Sequence, residues 1–165
     1  MNAVSTGTID SRLLVALDEC VLLEAVLHWG SDHPCARIME VAALKIFRLL
    51  LVERVLVGAR AKLRLQAPPL DEHLDRLLNA CDVTECPEAT ETDLARYKRQ
   101  LWAALRHEDD AEVGVAIRCF PERAHVVVST NRRHWRPTEA TKLALGGTEV
   151  MRAHTFWNLL NSRGS

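Results

Sequence analysis

The chain has 165 residues, of which 48% are hydrophobic and 26% charged, a composition typical of one ordinary globular domain. Its 21 Lys and Arg residues against 22 Asp and Glu residues give a formal net charge of -1, which excludes a uniformly basic nucleic-acid coat. Charged residues interrupt each apolar run well before the ~18–20 residues of a membrane span, so we expect no transmembrane helix.

Strand-like and helix-like segments alternate along the chain, which predicts an α/β fold, a three-layer sandwich around a central, mostly parallel sheet. In the first half, the apolar runs 13–17 and 47–52 predict buried strands. Helices are predicted at 20–29, 34–44, 55–63 and 70–81, the last from an amphipathic stripe of leucines. Prolines follow the third of these helices and end it.

The second half of the chain begins with segment 82–89, which we predict to be a loop. Thr90 followed by Asp93 resembles a capping box and predicts the start of a helix. Residues 124–128 are the most β-branched run in the chain and predict a strand. Without an internal repeat or linker, a single domain over residues 1–165 is the simplest account. The remaining predicted elements are a helix at 111–119, a short strand at 149–153 and a helix at 154–161.

The N-terminal segment and the cysteines indicate the compartment. Residues 1–10 are polar and lack the basic and apolar regions of a secretory signal. The five cysteines form an odd set without a C-x-x-C pair, which favours reduced thiols over a disulfide framework. Cys81 and Cys86, with His73 upstream, lack the second ligand pair that a tetrahedral zinc site needs. We therefore expect a cytoplasmic protein.

Charge is distributed unevenly along the chain. Residues 77–95 contain five acidic side chains and neither lysine nor arginine, whereas residues 113–137 contain five arginines and a single glutamate. This asymmetry predicts that one face of the folded protein is basic, although the net charge is close to zero.

Polar residues follow the predicted strands, where the ligand site of an open α/β sheet lies. Asp18 ends the first strand, Asn131 follows the valine-rich strand, and Asp109 and Asp110 begin a helix whose dipole favours a carboxylate. Converging oxygen ligands of this kind suit Mg²⁺ or Mn²⁺. The plain alternative is that these side chains only cap helices and turns.

Several stretches resemble the PIN-domain family. Residues 17–22, Leu-Asp-Glu-Cys-Val-Leu, resemble the opening motif of that family. Further along, the acidic helix start at 109–116, the strand at 124–128 and the Ser-Thr-Asn-Arg-Arg-His-Trp segment at 129–135 are similar to its second half. The order and the spacing of these stretches match the family over most of the chain.

The resemblance implies a metal-dependent endoribonuclease, often the toxin of a toxin–antitoxin pair. It implies Mg²⁺ or Mn²⁺ as cofactor, and RNA and an antitoxin protein as partners; we also expect a homodimer. Asp18, Asp110 and Asn131 match catalytic and metal-binding positions, with Asp109 as a further ligand. Nearby arginines are expected to hold phosphates of the nucleic acid by charge-assisted hydrogen bonds. These are Arg132, Arg133 and Arg136.

One position departs from the family pattern. Where the family has a glutamate early in a helix, the segment Val-Leu-Val-Gly places Gly58. Glu53 lies at a different helical phase and Glu40 on the preceding helix, so neither is a clean replacement. A second hypothesis therefore stays open, in which a catalytically impaired PIN-like module binds RNA or a partner protein. The position of Glu53 and Asp109 separates the two hypotheses: if neither side chain reaches the crevice at the strand ends, the binding module is favoured.

Three other interpretations rank lower. Asp18 is not followed by the second aspartate that a phosphatase of the haloacid-dehalogenase type needs. Cys20 with a histidine base (His28, His107 or His134) would be a nucleophile without a local signature. Trp135 is suited to stack on a base, but a tryptophan in such a position is more often part of the core.

Overall fold

The computed structural model describes residues 12–163. Five strands form one sheet in the order β3-β2-β1-β4-β5, and every neighbouring pair is parallel. The strands are β1 (Leu14–Leu17), β2 (Arg48–Val52), β3 (Asp82–Cys86), β4 (Val126–Ser129) and β5 (Glu149–Arg152).

The helices alternate with the strands and cover both faces of the sheet. Helices α1, α2, α3, α4 and α8 pack together on one face, and α5, α6 and α7 pack together on the other. The predicted three-layer α/β sandwich is confirmed. The helices are α1 (Glu19–Leu27), α2 (Pro34–Ala43), α3 (Glu53–Gln66), α4 (Asp71–Ala80), α5 (Glu91–Leu105), α6 (Glu108–Cys119), α7 (Glu139–Ala144) and α8 (Ala153–Arg163), with a short 3-10 helix (Pro68–Leu70) before α4.

The central strands are continuous apolar runs because helices cover them on both faces. Every residue of β1, β2 and β4 is buried. Val15 in β1 pairs with Leu49 on one side and with Val126 on the other, so the first strand lies in the middle of the sheet. The chain reverses its direction across the sheet between β1 and β4, which makes the carboxyl ends of these two strands the switch point where ligands bind in such folds.

The sequence prediction was wrong at segment 82–89, because Asp82–Cys86 forms β3 rather than a loop. Within the described part of the chain this strand lies at the edge of the sheet and pairs with β2 alone, from Arg48 opposite Asp82 to Val52 opposite Cys86. An edge strand is partly exposed, so its sequence is not an apolar run, and backbone pairing with β2 determines its conformation. Helix α7 was not predicted; Thr138 caps it by accepting a hydrogen bond from the Thr141 amide at 3.2 Å.

The predicted cap at Thr90 is present, since its hydroxyl accepts a hydrogen bond from the Asp93 amide at 3.1 Å and α5 begins at the next residue. All five cysteines are free. Cys81 and Cys86 donate to different backbone carbonyls and pack as small core side chains. Within residues 12–163 no helix is long and apolar enough to span a membrane. The expectation about a secretory signal concerns residues 1–10, which lie outside the described residues.

Candidate active site

A cavity of about 240 Å³ opens at the carboxyl edge of the sheet, between α3 and the N-terminal turns of α1 and α6. Three of the predicted site residues line it, Asp18, Asp109 and Asp110. The sequence separates Asp18 from the other two by most of the chain, and the parallel topology brings them to one edge. The other polar or small residues that line the cavity are Glu19, Arg54 and Gly58.

Asp18 is the N-cap of α1 and is buried beneath the cavity. Its Oδ1 accepts a hydrogen bond from the Glu19 amide at 2.8 Å, and its Oδ2 accepts from Ser129 Oγ at 2.7 Å and from Cys20 Sγ at 3.0 Å. Burial raises the pKa of Asp18, hydrogen bonds from Cys20 and Ser129 oppose this shift, and the charge of Asp110 adds to it. A cation in the cavity would stabilise the ionised form of Asp18.

Asp110 lies in the first turn of α6, but it does not cap that helix. The cap is His107, whose Nδ1 accepts a hydrogen bond from the Asp110 amide at 3.3 Å. The Asp110 carboxylate, 15% exposed, faces two imidazoles: its Oδ2 lies 2.8 Å from His134 Nδ1 and 3.3 Å from His107 Nδ1. The two rings stack with their centroids 4.4 Å apart. Since His107 Nδ1 already accepts the backbone N–H, His134 is the ring that can donate to the carboxylate and orient it at the mouth of the cavity.

Asn131 connects the two aspartates. Its amide N–H donates to Ser129 Oγ at 2.9 Å, the hydroxyl that in turn donates to Asp18. Its side-chain Nδ2 lies 3.1 Å from the Nδ1 of His134, the ring beside Asp110. Asn131 Oδ1 accepts hydrogen bonds from the amides of Arg133 and His134, at 3.0 Å and 3.2 Å. In this arrangement the amide oxygen stabilises the turn after β4.

Asp109 reaches the cavity, whereas Glu53 does not. Asp109 is exposed and forms an ion pair with Arg54 at 3.2 Å. Glu53 lines a different cavity together with Glu85 and Cys86. Glu40, the other glutamate considered from the sequence, pairs with an arginine on its own helix, at i,i+3 spacing. Neither glutamate replaces the missing family residue.

Sequence reasoning missed Glu19. The Glu19 carboxylate lies directly over Gly58, because a Cβ built on Gly58 would be 2.7 Å from Glu19 Cδ and closer still to Oε2. Glu19 therefore brings a carboxylate from α1 to the helix position where the family pattern has its own glutamate. Lys62, one turn further along α3, pairs with Glu19 Oε1. The available signal was the coincidence of an acidic residue beside Asp18 and a glycine at the departed position.

The surroundings of Cys20 and Trp135 disfavour the roles of nucleophile and of base-stacking residue considered from the sequence. Burial, reinforced by the charge of Asp18, raises the pKa of the Cys20 thiol to about 11, and its Sγ donates to that carboxylate. A thiol in this state is a poor nucleophile at neutral pH. Trp135 is 2% exposed and belongs to the hydrophobic core, so its ring is not accessible for stacking on a base.

The sequence matches no protein-family model and no curated protein. In three dimensions the chain is similar to one chain of a solved structure described as "Crystal structure of VapBC2 from Rickettsia felis bound to a DNA fragment from their promoter", with 11% sequence identity and a TM-score of 0.56. The alignment covers 85% of this chain and 98% of that chain. The fold is PIN-like. At this identity the likeness supports the PIN-like architecture and leaves the chemistry to be argued from the side chains.

Proposed function

We propose that the protein is a divalent-metal-dependent endoribonuclease of the PIN type. The observation that carries this proposal is the convergence of the Asp18, Glu19 and Asp110 side chains on one cavity at the carboxyl edge of the sheet. Asp110 is close enough for its charge to raise the pKa of Asp18. Like charges held together beside a cavity are typical of sites that bind a cation.

The donor set fits a hard divalent ion. Mg²⁺ and Mn²⁺ prefer carboxylate oxygens and retain several water molecules. A cavity of about 240 Å³ leaves room for one such ion together with its waters. Asp18 and Asp110 would hold the ion, with Glu19 and the more exposed Asp109 as further carboxylates. When bound, such an ion activates water and neutralises charge on the departing oxygen of a phosphodiester.

The remaining residues of the site position these carboxylates and the substrate. Ser129 orients Asp18, while His134 orients Asp110 and is itself contacted by Asn131. Asn131 thus contributes by fixing the positions of Ser129 and His134, the residues that contact Asp18 and Asp110. Contacts to RNA phosphates come from the exposed arginines that follow β4. They are Arg132, Arg133 and Arg136.

A second candidate function is a binding module with impaired catalysis. Two observations favour it: Lys62 neutralises Glu19, and Arg54 pairs with Asp109, so two of the four acidic side chains that line the cavity already have cationic partners. In that case the PIN-like fold would bind RNA or a protein without cleaving it.

The partners belong to the same proposal. The neighbour's title describes VapBC2 bound to a fragment of promoter DNA. By analogy, we propose that this chain binds an antitoxin-type protein and forms a homodimer. Co-expression with the product of an adjacent reading frame, followed by size-exclusion chromatography with light scattering, tests both assemblies.

Calorimetric titration of Mn²⁺ and Mg²⁺ into the wild-type protein and Asp18→Ala tests the metal site, and an RNA cleavage assay in the same buffer tests the chemistry. Glu40→Gln, which removes a carboxylate elsewhere on the surface, is the matched control. Metal binding that is lost only in Asp18→Ala, with cleavage by the wild type, would support the nuclease. Absence of both binding and cleavage in the wild type would favour the binding module.

A further inference from the structure

A second cavity, of about 150 Å³, lies at the carboxyl ends of β4 and β5. We propose that it binds a phosphate group of a nucleic-acid strand. The basic side chains that line it are the arginines Arg132 and Arg152, together with the imidazoles of His33 and His154. Of these, only Arg132 was predicted from the sequence to contact nucleic acid, so the proposal assigns a phosphate site to residues from three separate segments.

The two arginines are available for a ligand. Among residues 12–163, neither Arg132 nor Arg152 forms an ion pair or a side-chain hydrogen bond, whereas Arg54, Arg60 and Arg64 each pair with a carboxylate. A guanidinium group offers five N–H donors in a planar fork that matches a phosphate. Because both arginines line one cavity, a single anion there could accept hydrogen bonds from both.

Among the described residues one carboxylate lines this cavity, that of Glu24, and it already has partners. Glu24 Oε2 lies 3.3 Å from His33 Nε2 and 3.7 Å from Cys35 Sγ, which donates to it. His33 uses its other nitrogen to accept the Cys35 amide and cap α2. Glu24 therefore has its partners in His33 and Cys35, and neither Arg132 nor Arg152 pairs with it.

Backbone dipoles reinforce the positive potential. Pro34 and Ala153, the first residues of α2 and α8, both line the cavity, so both helices begin at its wall. At α2 the proline has no N–H and the Cys35 N–H already donates to His33, so this helix contributes its dipole and not a free donor at these positions. Helix N-termini carry partial positive charge and favour anions. The volume equals that of about five water molecules at ~30 Å³ each, enough for a phosphate group with its four oxygens.

The turn after β4 connects this cavity to the acidic one. Ser129 donates to Asp18, Asn131 lies beside the Asp110–His134 pair, and Thr130 and Arg132, which alternate with them, line the basic cavity. A strand that crosses this turn would place one phosphate at the acidic cavity and another at the basic one. The role in positioning a substrate for cleavage rests on the proposed function, whereas phosphate binding as such does not.

The experiment measures binding of a short labelled single-stranded RNA by fluorescence anisotropy in chelator, so that no metal contributes. Arg132→Gln and Arg152→Gln are each expected to weaken binding about tenfold, because each removes a charge-assisted contact. Each should also reduce the slope of log affinity against log salt by about 0.7. Arg99→Gln, on the exposed face of α5, is the control and should change neither quantity.

Two RNAs that differ only at the 5′ end show whether the cavity binds a terminal phosphate or a phosphate of the backbone. A tighter complex with the 5′-phosphorylated RNA than with the 5′-hydroxyl RNA assigns the cavity to a terminal phosphate, and equal affinities assign it to the backbone. Arg152→Lys keeps the charge and should recover part of the lost affinity. The proposal is overturned if both glutamine variants, shown to be folded by circular dichroism, bind as well as Arg99→Gln. RNA binding that persists in an Asp18→Ala protein without metal affinity separates this site from the metal site.

Discussion

The two cavities at the carboxyl edge of the sheet differ in how they use helix N-termini. In the acidic cavity, Asp18 caps α1 and Asp110 lies in the first turn of α6, so the protein's own carboxylates occupy these positive ends. In the basic cavity, α2 and α8 begin without a carboxylate in the first turn, and the cavity is lined by two arginines that have no ion-pair partner among residues 12–163. The same topology therefore yields one acidic and one basic cavity, which are the proposed sites for a cation and for an anion.

The largest effect is expected at Asp110. Asp110→Asn should lower metal-dependent cleavage by roughly 100-fold or more, since it removes a ligand charge, and it should barely change the melting temperature. Cleavage kinetics and thermal melting in the same buffer check the two halves of this prediction. Asp109→Asn is the matched control at the neighbouring, exposed position and should have the smaller effect. Wild-type cleavage that proceeds equally well in chelator would remove the metal mechanism.

The next largest effect is expected on Mn²⁺ affinity, when the carboxylate of Glu19 on α1 is removed or is replaced by one at position 58 on α3. Glu19→Gln should weaken Mn²⁺ binding by about tenfold, because it removes a carboxylate from the cavity. Gly58→Glu alone collides with Glu19 and should give no gain, whereas Gly58→Glu combined with Glu19→Ala should recover the lost affinity. Calorimetry on the single and double variants measures the coupling. If Gly58→Glu by itself switches on cleavage in an inert wild type, lost catalysis is the better account of this chain.

The pH dependence of the acidic cavity follows from the raised pKa of Asp18. Metal binding needs the ionised form, so Mn²⁺ affinity should fall with decreasing pH at values above the ordinary carboxyl pKa of 3.8. Without metal, the stability of the fold changes with pH in the opposite direction to metal affinity. The reason is that the unfolded chain releases the Asp18 proton more readily than the native protein does. Wild-type stability in chelator should therefore decline relative to Asp18→Asn as pH rises from below 3.8 through the raised pKa. Melting curves of both proteins across this range measure the difference, and a constant offset would contradict the assignment.

The smallest effect is expected away from both cavities. Thr90→Ala removes the hydroxyl that accepts the Asp93 amide at the start of α5 and should cost about 1 kcal/mol of unfolding free energy. Chemical denaturation measures this cost. Metal binding and RNA binding should both stay at the wild-type level. A change in either would mean that α5 is coupled to the edge of the sheet and that variants there cannot serve as controls.

Most of the fold could be predicted because the buried strands are visible as apolar runs. β1, β2 and β4 are covered on both faces and consist almost entirely of apolar residues. The edge strand β3 shows no such run, and the short helix α7 is only six residues long, so local patterns did not reveal them. In both cases pairing or packing with distant parts of the chain determines the conformation.

The sequence by itself determined the alternating α/β order, the buried strands and the placement of Asp18 and Asp110 at element ends. These features follow from local patterns of apolar and capping residues. Only the tertiary structure decided that Glu19 lies over Gly58 and that Arg132 and Arg152 share a cavity. The physical reason is that parallel strands bring their carboxyl ends to one edge whatever their separation along the chain, while the direction of each side chain there depends on the helices packed beside it.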